Sequence, residues 1–394
     1  MIKSLQAREI LDSRRNPTVE VELETNNGIF KASVPSGASR GRYEAVELRD
    51  GGRAYQGMGV SKVVKNINDV IAPKLKSKDE TEQKQIDQLM IKLDGTKNKS
   101  KLGANAILPV SMAVCRAGAK SKTLPLYQYI NQFFKDSVKI PRPCFNILNG
   151  GVHANNDLDI QEFMVVPNKG SFSKNFQTGK DIYHNLKNIL NKEIGKKGIV
   201  IGDEGGFAPP INDIKKALYF IMEAGKGYDI KIGLDCAASE IKKGMYHLEF
   251  YQGLTRDYPI IFFEDPFAED DWESFRNITK ELNVIIVGDD LLSTNVKRIK
   301  QAKAKEACNG AIIKINQIGT ITETFEAIKL VKSYGWKIII SHRSGETTDS
   351  FIADLAVGSG AEFIKSGAPY KKERLAKYNR LLEIEKELKL KQHG

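Results

Sequence analysis

From about residue 140 onward the chain repeats one device, a short apolar run followed by a stretch of helix length. The runs are "CFNIL", "EFMVV", "GIVIG", "KIGL", "IIFF", "VIIVG", "AIIKI", "KIIIS" and "EFIK". Apolar runs without alternation belong to strands buried on both faces, and strands separated by helices form a parallel sheet. Eight such units close into a barrel. Nine candidates exceed that number, so one is not a barrel strand, and the pattern alone does not say which.

The first third reads differently. "PTVEVELET" and "GIFKASVP" alternate as half-buried strands do, and Ile86, Leu89, Met90 and Leu93 recur at helical spacing. "GANAILPVSMAVCRAGA" is rich in small residues, which allows a helix to pack closely on a neighbour. The segment "FFKDSVKIP" reads as a join. The expected organisation is an N-terminal α+β domain over residues 1–134 and an α/β strand–helix barrel domain over 135–394.

Composition removes several function classes. No stretch approaches the roughly 20 apolar residues of a membrane span, and Met1–Ile10 lacks the apolar core of a signal peptide, so a cytoplasmic protein is expected. Cys115, Cys144, Cys236 and Cys308 are far apart and never in a CxxC pair, which points to reduced core residues and to neither a zinc site nor a disulfide framework. A net charge of +11 suits a polyanion or a small anionic substrate. The lysines are spread along the chain, runs such as Lys196-Lys197 and Lys371-Lys372 read as solvated faces, and no aromatic–basic interleaving marks a nucleic-acid platform.

In strand–helix barrels the chemistry sits where the strands end. Here Asp235 follows "KIGL", Glu264 follows "IIFF", Asp289 follows "VIIVG", and His342 and Arg343 follow "KIIIS", while Lys314 and Lys365 lie near the ends of "AIIKIN" and "EFIKSG". One acid at a strand end serves equally well as a helix cap. Three on successive strands repel one another unless a cation sits among them, and an oxygen-only donor set favours a hard ion such as magnesium. A lysine beside that cluster is either a counter-charge or a base, since metal ions and a second lysine would push its pKa down from about 10.4.

"SGAS" at 36–39, "NGGVHANNDLDIQEFM", "GDEGGFAP", "GLDCAASE", "EDPFAEDDW", "GDDL", "IKINQIGT", "SHRSGET" and "IKSGAP" together resemble the enolases, in the same order, at similar spacing and over nearly the whole chain. That family has a small α+β domain followed by a barrel ordered strand, strand, helix, helix and then six strand–helix units. The resemblance implies that "GIVIG" is not a barrel strand. It also implies that "EFMVV" runs antiparallel, so that Gln161 and Glu162, placed ahead of that strand, still reach the active face.

Site residues follow from the same resemblance. Asp235, Glu264 and Asp289 resemble the magnesium ligands, and Ser39, on a loop freed by Gly37 and Ala38, resembles the residue that closes on a second magnesium. Lys314 resembles the base that takes the proton beside the substrate carboxylate. Glu204, supported by Glu162, resembles the acid side that helps hydroxide leave. Arg343 and Ser344 resemble a phosphate clamp, Lys365 a carboxylate partner, and His153, His342 and Gln161 the remaining lining. The implied reaction is the glycolytic, reversible dehydration of 2-phosphoglycerate to phosphoenolpyruvate with two magnesium ions per site, in a homodimer.

The chain departs from the family where it has Arg15 for Gly, Arg40 for Thr, and Val152 and Asn155 beside His153. Between "AASE" and "YPIIFF" it retains only Ile241 to Asp257, room for a strand and a turn or two of helix, so one outer helix is expected to be truncated. Two other readings remain open: a superfamily sibling acting on a carboxylate without phosphate, and a surface-binding role for the same scaffold.

Overall fold

The computed structural model describes residues 1–38, 41–241 and 246–392. β1 (Ile2–Leu11), β2 (Pro17–Thr25) and β3 (Gly28–Ser33) form an antiparallel sheet in the order β1-β2-β3. The alternation of "PTVEVELET" turns Val19, Val21 and Leu23 into the core. β1 gave no comparable signal because most of its side chains are exposed or half-exposed. Helix Gln83–Asp94 buries Ile86 and Met90, and helix Ala104–Ser121 is buried along most of its length. Small residues make that possible: a Cβ at Gly118 would meet Tyr129 Oη at 2.6 Å.

The second region is a closed barrel in the order β10-β11-β4-β5-β6-β7-β8-β9. Its strands are β4 (Arg142–Asn149), β5 (Glu162–Pro167), β6 (Ile230–Asp235), β7 (Ile260–Glu264), β8 (Ile285–Gly288), β9 (Gly310–Ile313), β10 (Lys337–Ser341) and β11 (Phe363–Lys365). "GIVIG" is the surplus candidate: Gly195–Ile199 forms a short 3-10 turn and Ile201 bridges Phe207. β5 pairs antiparallel with both β4 and β6, as expected, although Glu162 is its first residue and not one that precedes it. Cys144, Met164, Val166, Phe262, Val287, Ile312, Ile339 and Phe363 form one apolar cluster contributed by every strand but β6. That interior is full, because a Cβ at Gly233 would lie 2.2 Å from Phe262 Cζ.

Strand register then sets the site. Glu162 pairs with Asp235 and Asp235 with Glu264, so three acids share one rung, while Lys365 pairs with Ser341 across β10–β11. The N-terminal region reaches this end of the barrel through residues 34–48. Ser36 and Gly345 exchange backbone hydrogen bonds at 2.7 and 2.8 Å, and Ala45 N donates to Gln317 O at 2.7 Å.

The segment before β7 differs from expectation. Helix Leu248–Asp257 is ten residues, about three turns, and no strand lies between β6 and it among the described residues. Residues 242–245 lie outside the description. All four cysteines are free and buried. No helix among the described residues is long and apolar enough to cross a membrane.

Candidate active site

Lys365 Nζ sits among the acids of the shared rung. It contacts both Glu264 oxygens at 2.8 and 2.7 Å, and Asp235 and Glu162 at 3.3 Å. Burial alone would favour the neutral amine, but Glu162, Glu264 and Asp235 outweigh it and hold the pKa well above the ordinary value. Burial, followed by the neighbouring Asp235, raises Glu264 in turn.

Lys314 stands one strand further on, against Asp289. The sequence left it as a counter-charge or as a base, the latter with metal ions and a second lysine beside it to lower its pKa. The structure raises it, because the adjacent Asp289 carboxylate outweighs the burial that opposes the charge. Burial would push Asp289 up, yet Lys314 first and Lys365 second bring it down to about 2. Gln317 Nε2 also donates to Asp289 Oδ1 at 2.9 Å.

Glu204 arrives on the link between helices Phe172–Ile194 and Ile214–Ala224, where no strand ends. Asn146 Nδ2 donates to its Oε2 at 2.9 Å, His342 Nε2 lies 3.3 Å from the same atom, and His153 Nδ1 lies 3.6 Å from Oε1. Glu162 and Glu204 each bring a carboxylate oxygen within 4.8 Å of the other. Against burial, His342 and His153 hold Glu204 well below the usual carboxylate range, whereas burial and then Glu204 push Glu162 well above it. Within this pair burial and the neighbouring Glu204 favour the protonated form of Glu162, while the two imidazoles favour the carboxylate of Glu204.

Arg343 makes two contacts with Glu44, at 2.8 and 3.2 Å, and Nη1 reaches Asn316 Oδ1 at 3.1 Å. Ala38, His153, Gln161, Glu162, Glu204, Asp235, Asp289, Lys314, His342, Arg343, Ser344 and Lys365 all line one cavity. Ser39 and Arg40 lie outside the described residues. Of the cavity-lining groups, Gln161 Oε1, Glu162 Oε2 and Ser344 Oγ are buried without a hydrogen-bond partner among the described residues. Buried polar atoms are rarely left so, and these are aimed at a polar ligand.

Several participants were missed in the sequence. Asp265, quoted within "EDPFAEDDW" but given no role, accepts from Asp289 N at 2.9 Å and Asp290 N at 2.6 Å and so shapes the β8 turn. Glu44, Asn146 and Gln317 carried no signal, being single polar residues whose partners are remote in sequence. Lys371, read as part of a solvated face, is half-buried and donates to Gly202 O and Asp203 O at 3.1 Å. Lys196 and Lys197 are exposed as read.

The expected metal ligands offer the oxygen-only chemistry of a hard divalent cation, but among the described residues the groups whose ligand atoms lie within 4.8 Å of one another are His153, Glu162 and Glu204, and Asp265, Asp289 and Asp290. Asp235, Glu264 and Asp289 supply oxygen only, and each is now answered by a lysine ammonium, Lys365 or Lys314.

A separate α+β region set over the mouth of a closed strand–helix barrel, with buried acids and lysines around one polar cavity, defines an α/β-barrel enzyme of acid–base chemistry. The family model of the enolase C-terminal TIM barrel domain matches residues 137–252 and 244–393, and that of the enolase N-terminal domain matches residues 2–130. The two barrel pieces meet inside the shortened segment before β7. Enolase B of Dictyostelium discoideum is 50% identical over 420 residues, covering 98% of this chain and 95% of that protein. The chain belongs to the enolase family and is a carbon–oxygen hydro-lyase.

Proposed function

We propose that the protein interconverts 2-phospho-D-glycerate and phosphoenolpyruvate with magnesium, in glycolysis and gluconeogenesis. The observation that carries this reading is one cavity lined by Lys314 and Lys365, by the Glu162–Glu204 carboxylate pair and by Arg343 and Ser344. Lys314 takes the proton beside the substrate carboxylate, and the Glu162–Glu204 pair assists departure of hydroxide from the next carbon. Arg343 and Ser344 hold the phosphate, Lys365 the carboxylate, and His153, His342 and Gln161 complete the lining. Asp235, Glu264 and Asp289 would hold the metal, with Ser39 reaching a second ion. When bound, such ions stabilise the negative charge that builds on the substrate carboxylate.

Lys314 needs its proton drawn away before it can act. Its contact with Asp289 favours the ammonium, so the base form requires that Asp289 engage a different cation. The test is formation of the enol product from 2-phosphoglycerate with and without magnesium, alongside the corresponding acid lacking phosphate. Turnover of the non-phosphorylated acid alone would favour the superfamily sibling. A homodimer in the cytoplasm is proposed from family membership; light scattering at micromolar concentration tests the dimer, and a monomer would refute it.

A further inference from the structure

Arg374, on the C-terminal helix Lys372–Gln392, has a fully buried side chain. Nη1 reaches His342 Nδ1 at 2.5 Å and Arg343 O at 2.6 Å, while Nη2 reaches Ser344 O at 2.5 Å and Asp203 O at 3.4 Å. Gly367, with φ +70°, makes room for its stem, since a Cβ there would lie 3.1 Å from Arg374 Cδ. Among the described residues no carboxylate lies within hydrogen-bond distance of this guanidinium; Glu373 is 3.8 Å from Nε. Burying a cation in that way is costly.

A guanidinium only donates and does not lose its proton in a protein. The nitrogen it faces must therefore present a lone pair. For His342 that nitrogen is Nδ1, and a neutral ring with a bare Nδ1 carries its hydrogen on Nε2. Nε2 is the atom 3.3 Å from Glu204 Oε2, near enough to face it although the two do not meet hydrogen-bond geometry. The arrangement inverts the Ser-His-Asp triad, in which an acceptor at Nδ1 leaves Nε2 to act as a base.

We propose that Arg374 is a positioning residue: by donating to His342 Nδ1 it locks the imidazole as the neutral Nε2–H tautomer, a donor held toward Glu204. Glu204 then meets the substrate with an N–H group beside its carboxylate. The same guanidinium fixes the carbonyls of Arg343 and Ser344, so the lock and the proposed phosphate clamp are set by one side chain. The proposal rests on the roles given above to Glu204 and His342; the tautomer itself rests only on the geometry.

Selective 15N-histidine labelling of the full-length protein tests it, with the His342 signals assigned by their loss in His342→Gln. Turnover of the wild type on 2-phosphoglycerate is measured first, so that a failed reaction assignment is seen separately from a failed tautomer assignment. At neutral pH His342 is expected to show a bare Nδ1 and a protonated Nε2. Arg374→Met should release the tautomer and lower kcat by about 10- to 100-fold, the scale of losing a group that orients a site residue. Arg374→Lys, also a donor, should restore the tautomer and part of kcat. An Nδ1–H or imidazolium signal in the wild type overturns the proposal whether or not the variants fold. So does full kcat in a folded Arg374→Met protein, or loss of kcat in both variants with the His342 tautomer unchanged.

Discussion

Lys314 Nζ rests directly on Asp289, two residues from adjacent strand ends that hold each other in the charged form. The Glu162–Glu204 pair lines the same cavity, so the proton and the hydroxide have separate attendants. Lys314→Ala is expected to abolish both turnover and exchange of the substrate's carbon-bound proton with deuterated solvent. Glu204→Gln leaves Lys314 in place, so exchange should persist while product formation falls by roughly 100-fold or more, the scale of one general acid–base group. Persistent exchange in Lys314→Ala would sink the assignment.

Asp289 is expected to be indispensable for metal-supported turnover. Without it Asp235 and Glu264 cannot complete an oxygen shell of about six ligands. Asp289→Ala should be inactive at any magnesium concentration, and the wild type should lose activity in chelator and regain it on adding magnesium. Full activity in chelator would refute the metal assignment.

Arg15 has φ +63°, a left-handed conformation at an exposed position in a turn whose neighbours, Arg14 N and Asn16 N, both bond to Asp12 Oδ1. Glycine meets that φ without the Cβ clash but loses more entropy on folding. Arg15→Gly should therefore stabilise by about 0.5–1 kcal/mol, with kcat unchanged. Urea unfolding of the two proteins measures the difference; a less stable glycine variant would show that the arginine makes compensating contacts.

Arg116, from the N-terminal region, holds Asp349, on the barrel side, through two bonds at 2.8 and 2.7 Å. Burial would raise the Asp349 pKa, but Arg116 outweighs it and keeps it below the usual carboxylate range. A depressed carboxylate contributes stability that is complete above its unfolded pKa and is lost as pH falls through its folded pKa. Arg116→Met strands a buried carboxylate and should cost about 3 kcal/mol at pH 7. In the variant Asp349 can take up a proton, so the deficit should narrow toward pH 4. Chemical denaturation at both pH values checks this, and a deficit independent of pH would mean that packing, not charge, joins the two regions.

Some of this site was legible without any fold. Asp235, Glu264 and Asp289 each follow an apolar run, and the strand-end rule finds such residues because β-structure delivers its last side chain to one face. Glu204 escapes the rule, since it rides a helix–helix link, and Glu162 defeats it by standing at the start of its strand; both needed the family resemblance. Arg374 was out of reach either way. Within "KKERLAKYNR" it reads as one more solvated cation, and only packing against His342, 32 residues earlier, reveals its burial. The protonation of the site was not legible for a related reason. The pKa values of Lys314 and Glu204 follow from individual partners at contact distance, and a sequence lists residues without distances.

The reversal of β5 governs more than its own direction. β5 ends at the lower rim, where β6 begins, and the chain climbs and descends once more between them although Asn168 N already donates to Asp229 O at 3.1 Å. Helices Phe172–Ile194 and Ile214–Ala224 perform that climb and descent, which forces the turn between them to the upper rim and carries Glu204 with it. Counting reversals thus divides the connections into two sets. The link from β5 to the first of these helices, residues 168–171, falls on the opposite rim, away from every group of the reaction. New termini opened there would leave the catalytic rim uncut, whereas a break between the two helices would sever the segment that delivers Glu204.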